Sequence, residues 1–523
     1  MAMAKINNKK MLIFVLILYL ISRFYNLLLL PIFTDESIYL YWAKVISETN
    51  SSWFISLGDG KPPLLIWIIA LLLKILPGNL YLLAGRLPSV LFGLMTLFGI
   101  YKFSKLLFEN ARISFLSAVL YIISPFALLY DRMALFHSML LSMLLWASYF
   151  AVKTAKTLDY KDAIMWGLFI GTAFLSKGTA MIVYLLLPFC FLAFLNYKVV
   201  RINFKKIIRL LVISSILGFG ISSILRLSDG YILMQLKNQQ FQQPWSLILE
   251  DPFRQLTGNY KGIMSWLTSY LTPSFYFFGL LSYFLMLLKK NYKNFAVLFG
   301  LWFFPILVFS FFARELFPRY LLFILPYFLI AAAYGFSTVY VYITSKIIKI
   351  PVTLVLLTIL IPQVFFSYYI ITDPQKAPLP NTDYNQYVGD HPSGFGLETI
   401  FSKLDELSAK NKITLVTQGT FGLYPYAFYL KYWGNPNIRI VPKWPIDLLK
   451  LDFPEIEKGT KFYLIMKDYE QYPKDFPLKV LAIGEKPGGR YPIILAEVEN
   501  KTNNKKGVIL EGTKPSLTWR SDR

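Results

Sequence analysis

The chain has 523 residues, of which 56% are hydrophobic, 17% aromatic and only 16% charged. Soluble globular proteins carry roughly 25% charged residues, so this composition excludes an ordinary cytosolic enzyme. The formal net charge of +23 would suggest nucleic acid in a soluble chain. Here Lys and Arg fall between apolar runs of about 18–22 residues, long enough to cross a ~30 Å hydrocarbon layer as helices, so they read as topology signals and nucleic acid is not expected as a partner. The one cysteine, Cys190, lies inside an apolar run, which leaves neither a disulfide framework nor a Cys-based zinc site.

The first apolar run, 11–30, follows a basic stretch with Lys5, Lys9 and Lys10. It is too long for a signal peptide and lacks a cleavage site, so it is expected to remain as an anchor with the N-terminus cytoplasmic. Arg23 inside it is expected to pair structurally or to snorkel. Further spans are predicted at 84–104, 112–130, 133–152, 161–176, 179–197, 207–226, 272–289, 295–313, 319–341 and 351–371, making eleven. With that count every basic cluster falls on the cytoplasmic side: Lys102, Lys105 and Arg112; Lys153, Lys156 and Lys161; Lys198 to Arg209; Lys289, Lys290 and Lys293; Lys346 and Lys349. The apolar stretch 62–76 must then not cross. Fifteen helical residues reach about 22 Å, short of the ~30 Å core, so it is expected as a tilted or interfacial helix within a first outer loop, 31–83.

Beyond residue 372 the apolar runs shorten and Pro, Gly, Asn and Asp recur. The spacing predicts helices over 397–410 and 424–433 and strands near 412–417, 438–441, 462–466, 480–483 and 493–498. The last two strands suggest a hairpin around Lys486-Pro487-Gly488-Gly489. The expected architecture is therefore a polytopic α-helical membrane domain, 1–372, and an extracytoplasmic α/β domain, 373–499, followed by a polar tail, 500–523, whose composition suits disorder. In the α/β domain, tyrosines 384, 387, 424, 426, 429 and 432 with Trp433 offer faces for sugar rings, though helical spacing makes core packing the better reading for most of the second group. Ser393-Gly394-Phe395-Gly396 reads as a plain turn before it reads as a phosphate cradle.

The outer connections gather the unusual charges. Phe33-Thr34-Asp35-Glu36 follows the first span, where acids in a first helical turn also suit the helix dipole. Lys61 sits before Pro62-Pro63-Leu64, Arg86 in Ala84-Gly85-Arg86-Leu87-Pro88-Ser89, and Asp131, Arg132 and His137 in Asp131-Arg132-Met133-Ala134-Leu135-Phe136-His137. Lys177 and Arg319 sit in later outer turns. Carboxylates at such a face can deprotonate a hydroxyl, and clustered cations can hold a phosphate leaving group.

In this order, the Asp-Glu pair, Lys-Pro-Pro-Leu, Ala-x-Arg-Leu-Pro-Ser, Arg-x-Ala-Leu, Leu-x-Lys-Gly and Pro-Arg-Tyr-Leu-Leu, the chain resembles the C-type fold glycosyltransferases over residues 10–370. It is similar there to the protein O-mannosyltransferases and the lipid A aminoarabinose transferase. The resemblance implies a polyprenyl-phosphate sugar donor, a hydroxyl acceptor and inverting transfer of one sugar at the outer face of the cell membrane. It makes Asp35 the general base, with Glu36, Asp131 and His137 as further catalytic candidates. Arg86 and Lys61 would bind the donor phosphate, joined by Arg132, Lys177 and Arg319. His137 stands where many relatives carry Asp, and Gly60 where the lipid A enzyme carries an acid. No cofactor is assigned, and the sequence does not support a divalent metal. A lipid-linked saccharide flippase or polymerase, or a glycan-binding sensor, is the alternative. A transporter would place its charges at mid-membrane, whereas these lie at outer turns.

Overall fold

A computed structural model describes residues 8–251, 253–343, 346–418, 422–443, 460–466 and 478–498. The expected tail 500–523 lies outside the described residues. The chain opens with α1 (Asn8–Phe24), α2 (Thr34–Thr49), α3 (Leu64–Ile75) and the long α4 (Tyr81–Phe108). There follow α5 (Ala111–Ile123), α6 (Pro125–Asp131), α7 (Phe136–Thr157), α8 (Tyr160–Phe174), α9 (Ala180–Ala193) and α10 (Tyr197–Ser222). Next come α11 (Gly230–Gln239), α12 (Trp245–Glu250), α13 (Leu256–Leu271), α14 (Pro273–Leu288), α15 (Tyr292–Phe312), α16 (Leu325–Tyr342) and α17 (Lys346–Thr372).

Each of the eleven expected spans falls on helix. Among the described residues, six single helices are long and apolar enough to cross a membrane. Two bent pairs raise this to eight: α5 with α6, turning by 62°, and α13 with α14, turning by 105°. The helices under the other three expected spans, α1, α8 and α9, have 17, 15 and 14 residues. Two details differ from the sequence reading. The span expected at 112–130 breaks at Ser124, where Pro125 cannot donate a backbone hydrogen bond to α5. Helix α13 was not expected, because Gly258, Asn259 and Lys261 dilute its apolar content below that of a spanning run. Stretch 62–76 forms the 12-residue α3, packed on α2 and α4.

Helix starts carry local side-chain caps: Asn110 accepts from Arg112 N and Ile113 N, Asp159 from Lys161 N, and Asn196 from Lys198 N. Between α8 and α10, Gly167 and Gly171 face Ser214, Leu217, Gly218 and Ile221 so closely that a Cβ on Gly167 would lie 2.7 Å from the Ser214 carbonyl oxygen. Small residues four apart let these backbones touch where lipid supplies no hydrophobic drive.

After α17 come α18 (Asn381–Tyr384), α19 (Leu397–Ser408) and α20 (Leu423–Lys431), with strands β1 (Ile413–Gln418), β2 (Ile438–Lys443), β3 (Lys461–Met466), β4 (Leu478–Gly484) and β5 (Ile493–Val498). They form one sheet of order β2-β1-β3-β5-β4. Strand β1 pairs in parallel with β2 and β3, while β5 runs antiparallel to β3 and β4. Strands β3 and β5 are buried on both faces along most of their length, which explains their apolar runs 462–466 and 493–496. Segment 392–395 joins this sheet to the membrane domain: Thr34 donates through N and Oγ1 to the Pro392 carbonyl at 3.1 and 3.0 Å, and Lys486 Nζ donates to the Ser393 carbonyl. A Cβ on Gly394 would lie 2.2 Å from the Ile32 carbonyl oxygen, so this glycine serves a close backbone crossing. The start of α2 is thereby fixed from both sides.

Candidate active site

The charges singled out in the sequence divide into two groups. The first is buried and held by partners within the fold. Arg86 and Glu36 are both fully buried and form an ion pair, with Nη2 2.8 Å from Oε2 and Nε 2.9 Å from Oε1. Arg86 also donates to the carbonyls of Leu27, Leu30 and Pro31. All five guanidinium N–H groups have partners, which leaves none for a donor phosphate. Glu36 accepts in addition from Phe33 N at 3.0 Å and Ala134 N at 2.7 Å, tying α2 to the turn before α7.

Asp131 is used in the same way. It is fully buried against Arg23, 3.2 Å away, and accepts from Tyr121 Oη and Ser138 Oγ at 2.9 Å each. Arg132 donates to the carbonyls of Ser22, Arg23, Tyr25 and Asn26, stitching the end of α1 to the α6–α7 turn. Glu36, Asp131, Arg86 and Arg132 are thus held as struts between elements of the fold, and Arg86 has no N–H left to offer a phosphate.

The second group gathers into one cluster whose partly exposed edge, at Asp35 and Lys61, forms its mouth. Asp35, one residue from the strut Glu36, points the other way, with its side chain 27% exposed. Its Oδ2 lies 3.1 Å from Arg319 Nη2. Arg319 is buried in the turn Pro318–Ile324, its guanidinium 4.3 Å from the Phe317 ring centroid and 5.6 Å from that of Phe33. Lys177, in the α8–α9 turn, places Nζ 2.9 Å from His137 Nε2 and 3.6 Å from the Tyr320 ring centroid. The His137 and Tyr320 rings stack at 5.7 Å and 18°. A neutral His137 accepts the lysine proton at Nε2 and carries its own hydrogen on Nδ1, which is buried without a partner among the described residues.

Lys61 completes the cation set, within electrostatic reach of both His137 and Lys177. Burial, and then the charges of Lys61 and Arg319, push the Lys177 ammonium well below the ordinary lysine range, with Asp35 pulling the other way. Asp59 stands beside them; burial raises its carboxyl, Lys61 and Lys237 lower it, and Asp35 raises it again. The mouth thus holds two partly exposed carboxylates, Asp35 and Asp59, beside three cations, with aromatic rings against the arginine and one lysine. Such a place can take a proton from a hydroxyl and hold a phosphate. Among the described residues, no three His, Cys, Asp or Glu side chains converge in a way that could hold a metal ion.

Sequence reasoning did not find the residues behind Arg319. Gln386 Oε1 and Tyr387 Oη, at 3.3 Å, both accept from its Nη1. Tyr387 donates to Tyr130 Oη at 3.5 Å, and Tyr130 and Tyr270 both donate to Asp383 Oδ2. These residues come from three distant stretches of chain, and no spacing in the sequence marks them. Of the tyrosines considered for sugar stacking, Tyr387, Tyr424 and Tyr432 are buried in packing. Tyr426, Tyr429 and Trp433 instead surround Tyr41 of α2, with ring centroids 4.9, 5.4 and 6.1 Å away.

With this geometry in hand, the similarities to known proteins can be placed. Residues 60–221 match the family model for dolichyl-phosphate-mannose-protein mannosyltransferases, a segment that includes Lys61, His137 and Lys177 but not Asp35 or Arg319. No curated protein sequence matches the chain. The crystal structure of ArnT from Cupriavidus metallidurans in the apo state superposes with a TM-score of 0.51 at 12% identity, covering 93% of this chain and 97% of ArnT. The same protein bound to undecaprenyl phosphate gives 0.52 at 13% identity, covering 94% and 98%. The chain is thus a polytopic membrane protein with the C-type glycosyltransferase fold and a C-terminal α/β domain. Within that fold class its likeness is to ArnT over nearly the whole length, and to the protein mannosyltransferases over 60–221.

Proposed function

We propose that the protein is an inverting glycosyltransferase that moves a single sugar from a polyprenyl-phosphate donor to a hydroxyl acceptor on the outer face of the cell membrane. The observation that carries this reading is the charge cluster, where the Asp35 carboxylate stands 3.1 Å from Arg319, and Lys61 and Lys177 lie within electrostatic reach of the pair. The acceptor oxygen attacks the anomeric carbon and passes its proton to Asp35. The bond from that carbon to the phosphate oxygen breaks, and the phosphate leaves with the electron pair. Its charge grows as the bond breaks, so Lys61, Lys177 and Arg319 act most strongly at the transition state. The new bond forms opposite the leaving group, which inverts the anomeric centre.

The outer-face assignment rests on the basic clusters. Lys102 and Lys105 lie at the end of α4 opposite Arg86, and Lys153 and Lys156 at the end of α7 opposite His137. A cytoplasmic N-terminus puts both clusters inside and the mouth outside. The likeness to ArnT bound to undecaprenyl phosphate supports a polyprenyl carrier.

The test is release of polyprenyl phosphate from radiolabelled polyprenyl-phosphate sugars by the full-length protein, with extracted cell-envelope material as acceptor, beside Asp35→Asn. Release by the wild type and loss in the variant is the expected result. Equal release in both would move the base away from Asp35. Binding of labelled lipid without release from any donor would instead favour the flippase or sensor.

A further inference from the structure

The hydrogen bonds behind Arg319 run in one direction. Arg319 Nη1 donates to Tyr387 Oη, Tyr387 to Tyr130 Oη, and Tyr130 to Asp383 Oδ2. The row therefore has a cation at one end, a carboxylate at the other and two hydroxyl dipoles aligned between them. Asp383 is fully buried, and Tyr270 of α13 donates to the same oxygen while Oδ1 has no partner among the described residues. A carboxylate in such a place carries a desolvation cost that an apolar residue would avoid. The loop after α17 could be anchored by packing alone.

The guanidinium plane gives the carboxylate a purpose. Nη1 and Nη2 are rigidly linked, so fixing one fixes the direction of the other. Gln386 and Tyr387 hold Nη1, and Nη2 is then the group that meets Asp35. We propose that segment 381–389 is the positioning element of the active site, and that Asp383, acting through Tyr130 and Tyr387, sets how Arg319 is shared between the base Asp35 and the donor phosphate. Asp383 touches neither substrate. An ionised Asp383 draws on the arginine through the two hydroxyls and loosens its hold on Asp35, leaving that carboxylate a better proton acceptor. Protonation of Asp383 removes the draw. Burial pushes this carboxyl up to about 6, against the two tyrosine hydroxyls and Arg319, which lower it. The groups that face it are Tyr130 from α6, Tyr270 from α13, Tyr387 from its own segment and Arg319 from the turn before α16.

This inference rests on the transferase reading, so its test has an arm without turnover. Full-length wild type, Asp383→Asn, Tyr387→Phe and Gln386→Ala are compared in nanodiscs, first in pH profiles of kcat and donor KM. The wild type is expected to lose kcat as pH falls through about 6, and Asp383→Asn, which still accepts from both tyrosines, to lack that limb. Tyr387→Phe is expected to lack it too, with kcat down roughly 10- to 100-fold and KM changed far less. An acid limb that survives in both variants overturns the proposal. Should Asp383→Asn not fold, Tyr387→Phe decides beside Gln386→Ala: the first cuts the row on both sides of Tyr387 and is expected to lose the limb, and the second leaves the row whole and is expected to keep it. If the wild type transfers no sugar, the functional reading fails by itself. Binding of undecaprenyl phosphate then tests the positioning element: about tenfold weaker binding to the double variant Tyr387→Phe/Gln386→Ala supports it, and unchanged binding overturns it.

Discussion

Arg86 and Glu36 face each other across the α2–α4 contact with no exposure to solvent, and every N–H of the arginine is matched by an oxygen. Three of those oxygens are carbonyls of residues 27–31, the irregular link between α1 and α2. The pair therefore shapes the approach to Asp35 without contributing a free charge to the mouth. Removing one member leaves a buried charge uncompensated, which costs about 3–5 kcal/mol. Arg86→Met is expected to lower the thermal midpoint in detergent sharply. Glu36→Gln/Arg86→Met is expected to lose less than the sum of the two single changes, because the partners are coupled. Folded Arg86→Met with only a raised donor KM would restore Arg86 as a phosphate ligand.

Asp131 gives a parallel case with a different readout. Its carboxylate joins Arg23 of α1 to Tyr121 of α5 and Ser138 of α7. Asp131→Asn is expected to destabilise by about 3–5 kcal/mol, because Arg23 keeps its charge in a buried site. Adding Arg23→Met removes that charge and is expected to recover folded protein together with sugar transfer. A well-folded double variant without transfer would give Asp131 a chemical role.

These two pairs show where sequence reasoning stopped. Apolar run length marked a helix under every expected span, and short apolar runs between turn residues marked the strands of the C-terminal sheet, because burial acts on each residue locally. The motifs also located the turns that hold Asp35, Lys61, Lys177 and Arg319. What spacing could not tell was which charges face the mouth. Asp35 and Glu36 are neighbours, yet on a helix adjacent positions point about 100° apart, and only packing decides which one is open. Arg86 and Arg319 look equally exposed as outer-face arginines; tertiary carbonyls take up the first and leave the second beside Asp35. The Tyr387–Tyr130–Asp383 row joins residues more than 250 positions apart, and no local pattern encodes it.

Asp35 itself separates chemistry from structure. Its side chain is partly open, and an asparagine oxygen can still accept from Arg319, so Asp35→Asn is expected to fold with a thermal midpoint close to wild type. A positioned general base contributes roughly 10²–10⁴-fold, and kcat is expected to fall by that factor with donor KM little changed. Asp35→Glu keeps the carboxylate but moves it by one methylene and is expected to fall between the two. A fall in stability matching the fall in kcat would show that Asp35 is a strut like Glu36.

Lys177 provides the alkaline counterpart. Its ammonium is held well below the ordinary lysine range by burial and by the charges of Lys61 and Arg319. The sign follows directly: the charged form is disfavoured in the folded protein, so the proton is lost at lower pH than from a free lysine, and the phosphate loses a cation. Donor KM is expected to rise as pH climbs, beginning below the lysine range. Bound donor phosphate opposes this by restoring a counter-charge, so the limb is expected in kcat/KM more than in kcat. Lys177→Arg keeps its charge at any accessible pH and is expected to lose the limb. Lys177→Ala is expected to cost about 10²-fold at neutral pH, the usual loss for one donor at a developing anion. The measurement is kcat/KM for labelled donor between about pH 6 and 10, the range in which an ammonium of lowered pKa titrates. An alkaline limb unchanged in Lys177→Arg would assign it to another group and leave Lys177 a support for His137 and Tyr320.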